Sequence, residues 1–183
     1  MKIFPVLILI LVMIISGCVE ESKEIKELKI PGHGNHIYQF SNDIREVLNV
    51  PVNDPIAIKK LVWQSDRLNI IFNGSSKQDN AYFQVVVINI VSKLQTFFAY
   101  EGKLLQFPVF YYENGRWFNS TEDEIILPDL EGANLWLMGP DTGARDTSLF
   151  SMGDIIYLQG TDYKNLTLAG DKFALLIMGI DKI

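Results

Sequence analysis

The chain predicts an α/β fold: a single three-layer-like domain in which a mixed sheet is flanked by helices. Three observations predict it. From Ile37 onward the apolar residues switch between a period of two and a period near 3.6, as strands and helices in alternation require. Arg67 to Phe72 (RLNIIF) is a short apolar run closed by a turn, the pattern of a buried strand. The last third then runs strand, loop, strand, helix.

Each element has its own signal. Ser41 to Val50 opens with capping residues and sets Ile44, Val47 and Leu48 on one helical face, so a short helix is expected, ended by Pro51. Asp54-Pro55 repeats the signal, a capping carboxylate followed by proline at the first helical position, with Ile56 to Leu61 behind it. The strand Arg67 to Phe72 closes on Asn73-Gly74-Ser75-Ser76.

Residues 80 to 101 set two rules against each other. Val85-Val86-Val87-Ile88 is β-branched and favours a strand. The spacing of Phe83, Val87, Ile90, Val91, Leu94 and Phe98 favours a helix, with Asp79-Asn80 to cap it and Gly102 to end it. With no Gly or Pro inside, the helix is expected, its apolar stripe packed in the core.

Lys103 to Tyr112 is apolar on both faces, turns at Glu113-Asn114-Gly115 and pairs with Arg116 to Asn119 as a hairpin. Acidic residues make Glu122 to Glu131 a loop. Ala133 to Met138 is a strand, Gly139 to Ala144 a loop, Asp154 to Gln159 a strand and Tyr163 to Met178 a helix, capped from the turn Gly160-Thr161-Asp162.

The N-terminus carries an address. Behind Lys2, the apolar run Ile3 to Ile15 would make a helix about 20 Å long against a hydrocarbon core of roughly 30 Å. That suits a signal sequence better than a membrane span; an uncleaved anchor extending to Val19 is the competing reading. The run ends in Ile15-Ser16-Gly17-Cys18, which resembles the lipobox of prokaryotic lipoprotein precursors. The resemblance implies that residues 1–17 are removed and that Cys18 becomes a lipid-modified N-terminus, which holds the protein on the cell membrane facing out of the cytoplasm. Val19 to Lys29 alternates acidic and basic residues and reads as a tether. Pro31-Gly32-His33-Gly34-Asn35-His36 breaks the chain, so the tether is expected over 18–35 and the domain over 36–183.

Composition narrows the chemistry. Without Lys2, 15 basic residues stand against 22 acidic ones, and no basic stripe exists to neutralise a phosphate backbone, so nucleic acid is not an expected partner. The single cysteine is committed to the lipid, which leaves no disulfide and no cysteine-ligated metal. The two histidines, three residues apart in a glycine-rich loop, read as solvent-exposed side chains rather than as a metal site. Neither metal nor cofactor is expected. Three sequons agree with an extracytoplasmic life: Asn73-Gly74-Ser75, Asn119-Ser120-Thr121 and Asn165-Leu166-Thr167. Each asparagine is either a glycosylation site or an ordinary turn asparagine.

Four groups are candidate sites. The loop Gly139 to Ala144 could cradle an anion, with Gly139, Thr142, Gly143 and Arg145 as the contacts, although it lacks the lysine of a P-loop and Asp141 would repel the ligand. Glu122, Asp123, Glu124, Asp129 and Glu131 could bind calcium, or act as acid and base if paired across a cleft, or remain a solvated loop; they lack an ordered Asp-x-Asp-x-Asp-Gly ladder. Tyr111, Tyr112, Trp117, Phe118 and Trp136 could stack on sugar rings, or be core. A Ser-His-Asp arrangement has no support, because both histidines lie in the hinge and no Gly-x-Ser-x-Gly occurs.

The Gly-Pro turn after a strand and the later strand-Gly-Thr-Asp-helix segment resemble modules of archaeal S-layer and other cell-surface proteins, over the last 50 residues or so. That resemblance implies an archaeal envelope protein and lends no catalytic residues. The function expected is therefore a membrane-anchored extracytoplasmic lipoprotein that binds or organises a protein, a glycan or a small solute without catalysis. The alternative is a hydrolase or transferase using the 122–131 acids. Two carboxylates with raised pKa would favour the enzyme; a flat or aromatic exposed patch would favour binding.

Overall fold

The computed structural model describes residues 23–73, 77–121 and 123–182. Cys18 and the segment before it, Glu122, and the Gly74-Ser75 part of the first sequon lie outside the described residues.

The order of elements is β1 (Glu27–Leu28), β2 (Tyr38–Gln39), α1 (Ile44–Leu48), α2 (Pro55–Gln64), β3 (Leu68–Asn73), α3 (Lys77–Tyr100), β4 (Val109–Glu113), β5 (Arg116–Asn119), β6 (Glu124–Ile125), β7 (Ala133–Met138), β8 (Ser148–Met152), β9 (Ile155–Gln159) and α4 (Tyr163–Met178). Seven strands make one mixed sheet in the order β6-β5-β4-β3-β7-β9-β8. β3 runs parallel to β4 and β7, and β7 parallel to β9, while the hairpins β4-β5, β5-β6 and β8-β9 are antiparallel. The chain thus forms the single α/β domain with a mixed sheet and flanking helices that its sequence predicts.

Two of the helix caps and the hairpin turn act where the sequence places them. The Asp54 carboxylate accepts from Ala57 N–H at 3.2 Å ahead of Pro55, and Asp162 accepts from Asn165 N–H at 2.7 Å to start α4. Asn114 and Gly115 take φ of 50° and 80°, the paired left-handed conformation of a two-residue hairpin turn. Residues 80 to 100 are helical, and Glu101 begins the turn after them: Phe83, Val86, Ile90, Leu94 and Phe98 are buried in the core. Helical spacing over a long segment outweighs the local strand preference of four β-branched residues, because tertiary burial rewards the stripe.

Strand alternation divides the sheet into two faces. Leu68, Ile70 and Phe72 of β3, Leu135 and Leu137 of β7, and Ile156 and Leu158 of β9 point into one core, which they share with buried residues from all four described helices. Those helices therefore gather on one face of the sheet, so the described residues make two layers rather than the three-layer-like arrangement expected, and the other face has no described helix upon it.

Five local features depart from expectation. Within the acidic segment read as a loop, Glu124 and Ile125 pair with Phe118 and Trp117 as β6, and α3 starts at Lys77, so Asp79-Asn80 lie inside its first turn instead of capping it. The chain joins the domain before residue 36: Glu27 and Leu28 pair antiparallel with Gln39 and Tyr38, and Ile25 O accepts from Ile44 N–H at 2.8 Å. The charge alternation that suggests a tether is here the alternation of a short edge strand. His33 is not solvent-exposed but 3% exposed, packed on Tyr100 at 4.6 Å with Nδ1 2.6 Å from the Tyr38 hydroxyl and Nε2 3.2 Å from Glu101 Oε1. β8, which has no clear signal of its own, pairs with β9 around Gly153-Asp154.

Candidate functional site

The face of the sheet opposite the helices is built by strand register alone. One row across the strands reads Asn119, Phe110, Ile71, Trp136, Tyr157 and Phe150, each cross-strand from the next. On one side lies a second row, with Trp117, Tyr112, Met138, Gln159 and Ser148. On the other side Asn69, Asn134, Ile155 and Met152 form a third. None of these side chains is charged, in a chain of which 21% of residues are. A sheet face turned to solvent ordinarily alternates to polar and charged side chains. This one does not.

The rings on this face hold one another. Tyr112 packs on Trp117 at 4.8 Å, Trp117 on Trp136 at 5.9 Å and 81°, and Tyr112 on Trp136 at 6.0 Å and 60°. Trp136 continues to Tyr157 at 6.5 Å, and Tyr157 stacks on Phe150 at 5.0 Å and 14°. Edge-to-face, tilted and stacked contacts brace the rings against one another, and each of these rings stays half-buried. Beneath them Ile71 is fully buried. At one border the amides of Asn69 and Asn134 tie the sheet to the loop before β7: Asn69 Nδ2 donates to Glu131 O and to Asn134 Oδ1, and Asn134 Nδ2 donates to Leu130 O. At the other end Gln159 donates to Asp146 and Ser148. The result is an uncharged surface whose aromatic rings brace one another.

The five aromatic residues singled out in the sequence divide between the faces. Tyr112, Trp117 and Trp136 belong to the open face. Tyr111 stacks on Phe72 at 5.0 Å on the helical side, and Phe118, its cross-strand partner, shares that side. Phe110, Tyr157 and Phe150 are the members that sequence reasoning missed. Period two within β4 could have found Phe110; Phe150 and Tyr157 need the β8-β9 pairing.

The other candidates are placed differently. In the Gly139 to Ala144 loop, residues Pro140–Thr142 make one turn of 3-10 helix. Thr142 N–H and hydroxyl both go to Gly139 O, at 3.1 and 2.7 Å, and Gly143 N–H donates to Pro140 O, so the turn consumes the donors an anion would need. Gly139 serves packing instead, since a Cβ there would stand 3.1 Å from the Phe83 ring. Arg145 is exposed beside this loop. Two carboxylates of the acidic segment, Asp123 and Asp129, shift away from the raised pKa that a general acid needs. Hydrogen bonds from the side chains of Thr121 and Asn119 hold Asp123 below the ordinary carboxylate range. The Glu131 N–H and the Arg67 guanidinium do the same to Asp129. Glu124 lies 3.5 Å from Arg116. Among the described residues no group of three or more His, Cys, Asp or Glu could hold a metal ion.

The hydroxyl, imidazole and carboxylate of Tyr38, His33 and Glu101 stand in the order of a proton relay, but Tyr38 is 1% exposed, and burial, with Tyr100 and Glu101 nearby, pushes its pKa up to about 12. A nucleophile needs the opposite on both counts. An open groove of about 360 Å³ lies on the helical side, among Lys59, Lys60, Trp63, Ile177, Met178 and Gly179. It shares no residue with the aromatic face. Compared with protein-family models, with curated proteins and with solved structures, the chain matches none.

Proposed function

We propose that the protein is a membrane-anchored extracytoplasmic binding module, held by lipid on Cys18, that lays a neutral envelope glycan across its open sheet face. The observation that carries the reading is the uncharged row of half-buried rings from Trp117 to Phe150. Pyranose rings present C–H groups over their flat faces and hydroxyls at their edges, and they gain dispersion contact on an aromatic surface without needing a counter-charge. The row crosses six strands, a span of roughly 24 Å at ~4.8 Å per strand, which suits an oligosaccharide better than a small solute. Protein partners ordinarily insert an anchor residue into a pocket, often with arginine at the hot spot. The groove among the described residues lies on the other side of the molecule.

The test is co-sedimentation of the full-length detergent-solubilised protein with protein-free envelope polysaccharide from its own cells. Retention should persist in about 1 M salt, which screens charge contacts beyond ~3 Å. It should fall tenfold or more in Trp136→Ser and in Tyr157→Ser, with Gln95→Ser on the exposed side of α3 as the control. Elution by salt, or equal retention of all three variants, would sink the reading.

A further inference from the structure

We propose that Asn119 carries an N-linked glycan whose first sugar lies on the Trp117 and Phe110 rings at the hairpin end of the aromatic face. The inference rests on the extracytoplasmic reading of the domain, since the sugar donor is met outside the cytoplasm. It shortens the aromatic stretch open to the envelope glycan to Trp136, Tyr157 and Phe150 on three adjacent strands, roughly 10 Å at ~4.8 Å per strand.

Two of the three sequons can be compared in full, and they differ in kind. Asn165 lies in the first turn of α4, where both amide protons are spent, on Thr161 Oγ1 and Asp162 Oδ2, each at 2.9 Å. Its Thr167 hydroxyl is bonded back to Tyr163 O, and the residue between them, Leu166, is fully buried. A transferase could not reach that sequon without unwinding the helix. Asn119 ends β5, followed by exposed Ser120 and Thr121. Its Oδ1 accepts from Thr121 N–H and from Asp123 N–H, the Thr121 hydroxyl lies 2.8 Å from that oxygen and 2.6 Å from Asp123 Oδ2, and Nδ2 makes one long contact, 3.3 Å to Asp123 Oδ2, all within an exposed turn rather than a helix. One amide proton is therefore uncommitted, and the hydroxyl that makes a sequon stands beside the amide. Asn73 ends β3, with the rest of its sequon outside the described residues.

The sheet face also offers the attached sugar a place to lie. Strand period puts Trp117, two residues before Asn119, on the same side of the sheet, and Phe110 is the cross-strand partner of Asn119. A sugar on Nδ2 thus starts beside the Asp123 carboxylate, which can accept from its hydroxyls, and lies over two half-buried rings. In the reaction, Nδ2 attacks the anomeric carbon of a lipid-linked sugar phosphate. The new C–N bond forms as the anomeric C–O bond to phosphate breaks, the lipid phosphate leaves with the electron pair, and the amide proton passes to a base of the transferase.

Peptide mass spectrometry of the full-length protein from its own membranes tests both parts. A sugar mass should sit on the peptide containing Asn119, vanish in Asn119→Gln and Thr121→Ala, survive in Thr121→Ser, and be unaffected by Asn165→Gln. The glycosylated protein should melt about 2–4 °C above Asn119→Gln. That increment should be lost when Trp117→Leu is the background and kept with Trp117→Tyr; should Trp117→Leu fail to fold, Phe110→Leu should halve it. Bare Asn119 on chains that begin at lipid-modified Cys18 overturns this inference alone. Bare Asn119 on chains that keep Met1 overturns the address as well. An increment equal in all backgrounds refutes the stacking.

Discussion

Tyr38 shows at the scale of one residue how burial becomes a pH dependence. Its phenol is almost wholly enclosed, and its hydroxyl lies 2.6 Å from His33 Nδ1, with Tyr100 and Glu101 nearby. Removal from water, the largest cause, disfavours the phenolate, and the two neighbours add to it, so the folded pKa rises to about 12. Between the unfolded value near 10 and that folded value, the unfolded chain has given up a proton that the folded chain retains. Stability from the neutral phenol is therefore complete below about pH 10 and is lost as pH climbs through about 12. Urea unfolding between pH 8 and 12 should show a falling limb that is shallower in Tyr38→Phe. At neutral pH that variant should be modestly less stable, because His33 Nδ1 loses its partner. An unchanged alkaline limb would mean that Tyr38 is not the titrating group.

At the scale of elements, what was legible depended on whether the signal was local. Asp54-Pro55, Asn114-Gly115 and Asp162 act on residues two to four positions away, and each does in the structure what its sequence context predicts. The long helix α3 was legible because a stripe over six turns outvotes four β-branched residues. β8 was not, because alternation of Ser148 and Ser151 with Leu149 and Phe150 gains its meaning from β9 beside it. His33 was misread for the same reason: its enclosure comes from Phe97, Tyr100 and Glu101 at the far end of α3. The aromatic face was half legible, since period two separates Tyr111 from Tyr112 but cannot say that Trp136 and Tyr157 lie side by side. The junction of β9 and α4 is the sharpest element-scale test. A Cβ on Gly160 would stand 2.2 Å from Leu166 N and 2.5 Å from its Cα, both helix backbone that cannot swing aside. Gly160→Ala should therefore cost about 3 kcal/mol or more, the upper end for overpacking, in chemical denaturation with an unchanged m-value. A loss below about 1 kcal/mol would show that the junction relaxes.

For the molecule as a whole, the segment between β2 and α1 must be fastened to the helical layer, and Asp171 is where that happens. It is fully buried on α4, and its Oδ2 accepts from Ser41 N–H, Asn42 N–H and Asn42 Nδ2, each at 3.1 Å. Oδ1 accepts from Asn89 Nδ2 at 2.7 Å and lies 3.3 Å from Lys93 Nζ, both on α3. One carboxylate thus joins α3, α4 and the segment that leads from β2 into α1. Lys93 has supports of its own in Asn89 O and Oδ1 and in the Phe40 ring, and burial holds its pKa below the ordinary lysine value. The two partners should therefore not cost the same. Asp171→Ala strands four donors and a buried ammonium and should cost about 3–5 kcal/mol, as breaking buried pairs does. Lys93→Met leaves the carboxylate four N–H donors and should cost clearly less. The double variant separates two accounts of the site. If the ion pair alone mattered, pairing Lys93→Met with Asp171→Leu would restore stability, since well-packed apolar replacements of buried pairs often do. If the backbone donors of Ser41 and Asn42 matter more, the double variant stays nearly as weak as Asp171→Ala, and amide exchange quickens through residues 38–48 before it does in the sheet. The four donors outnumber the one cation, so the second outcome is expected; a double variant as stable as the native chain would reduce Asp171 to one half of a dispensable ion pair.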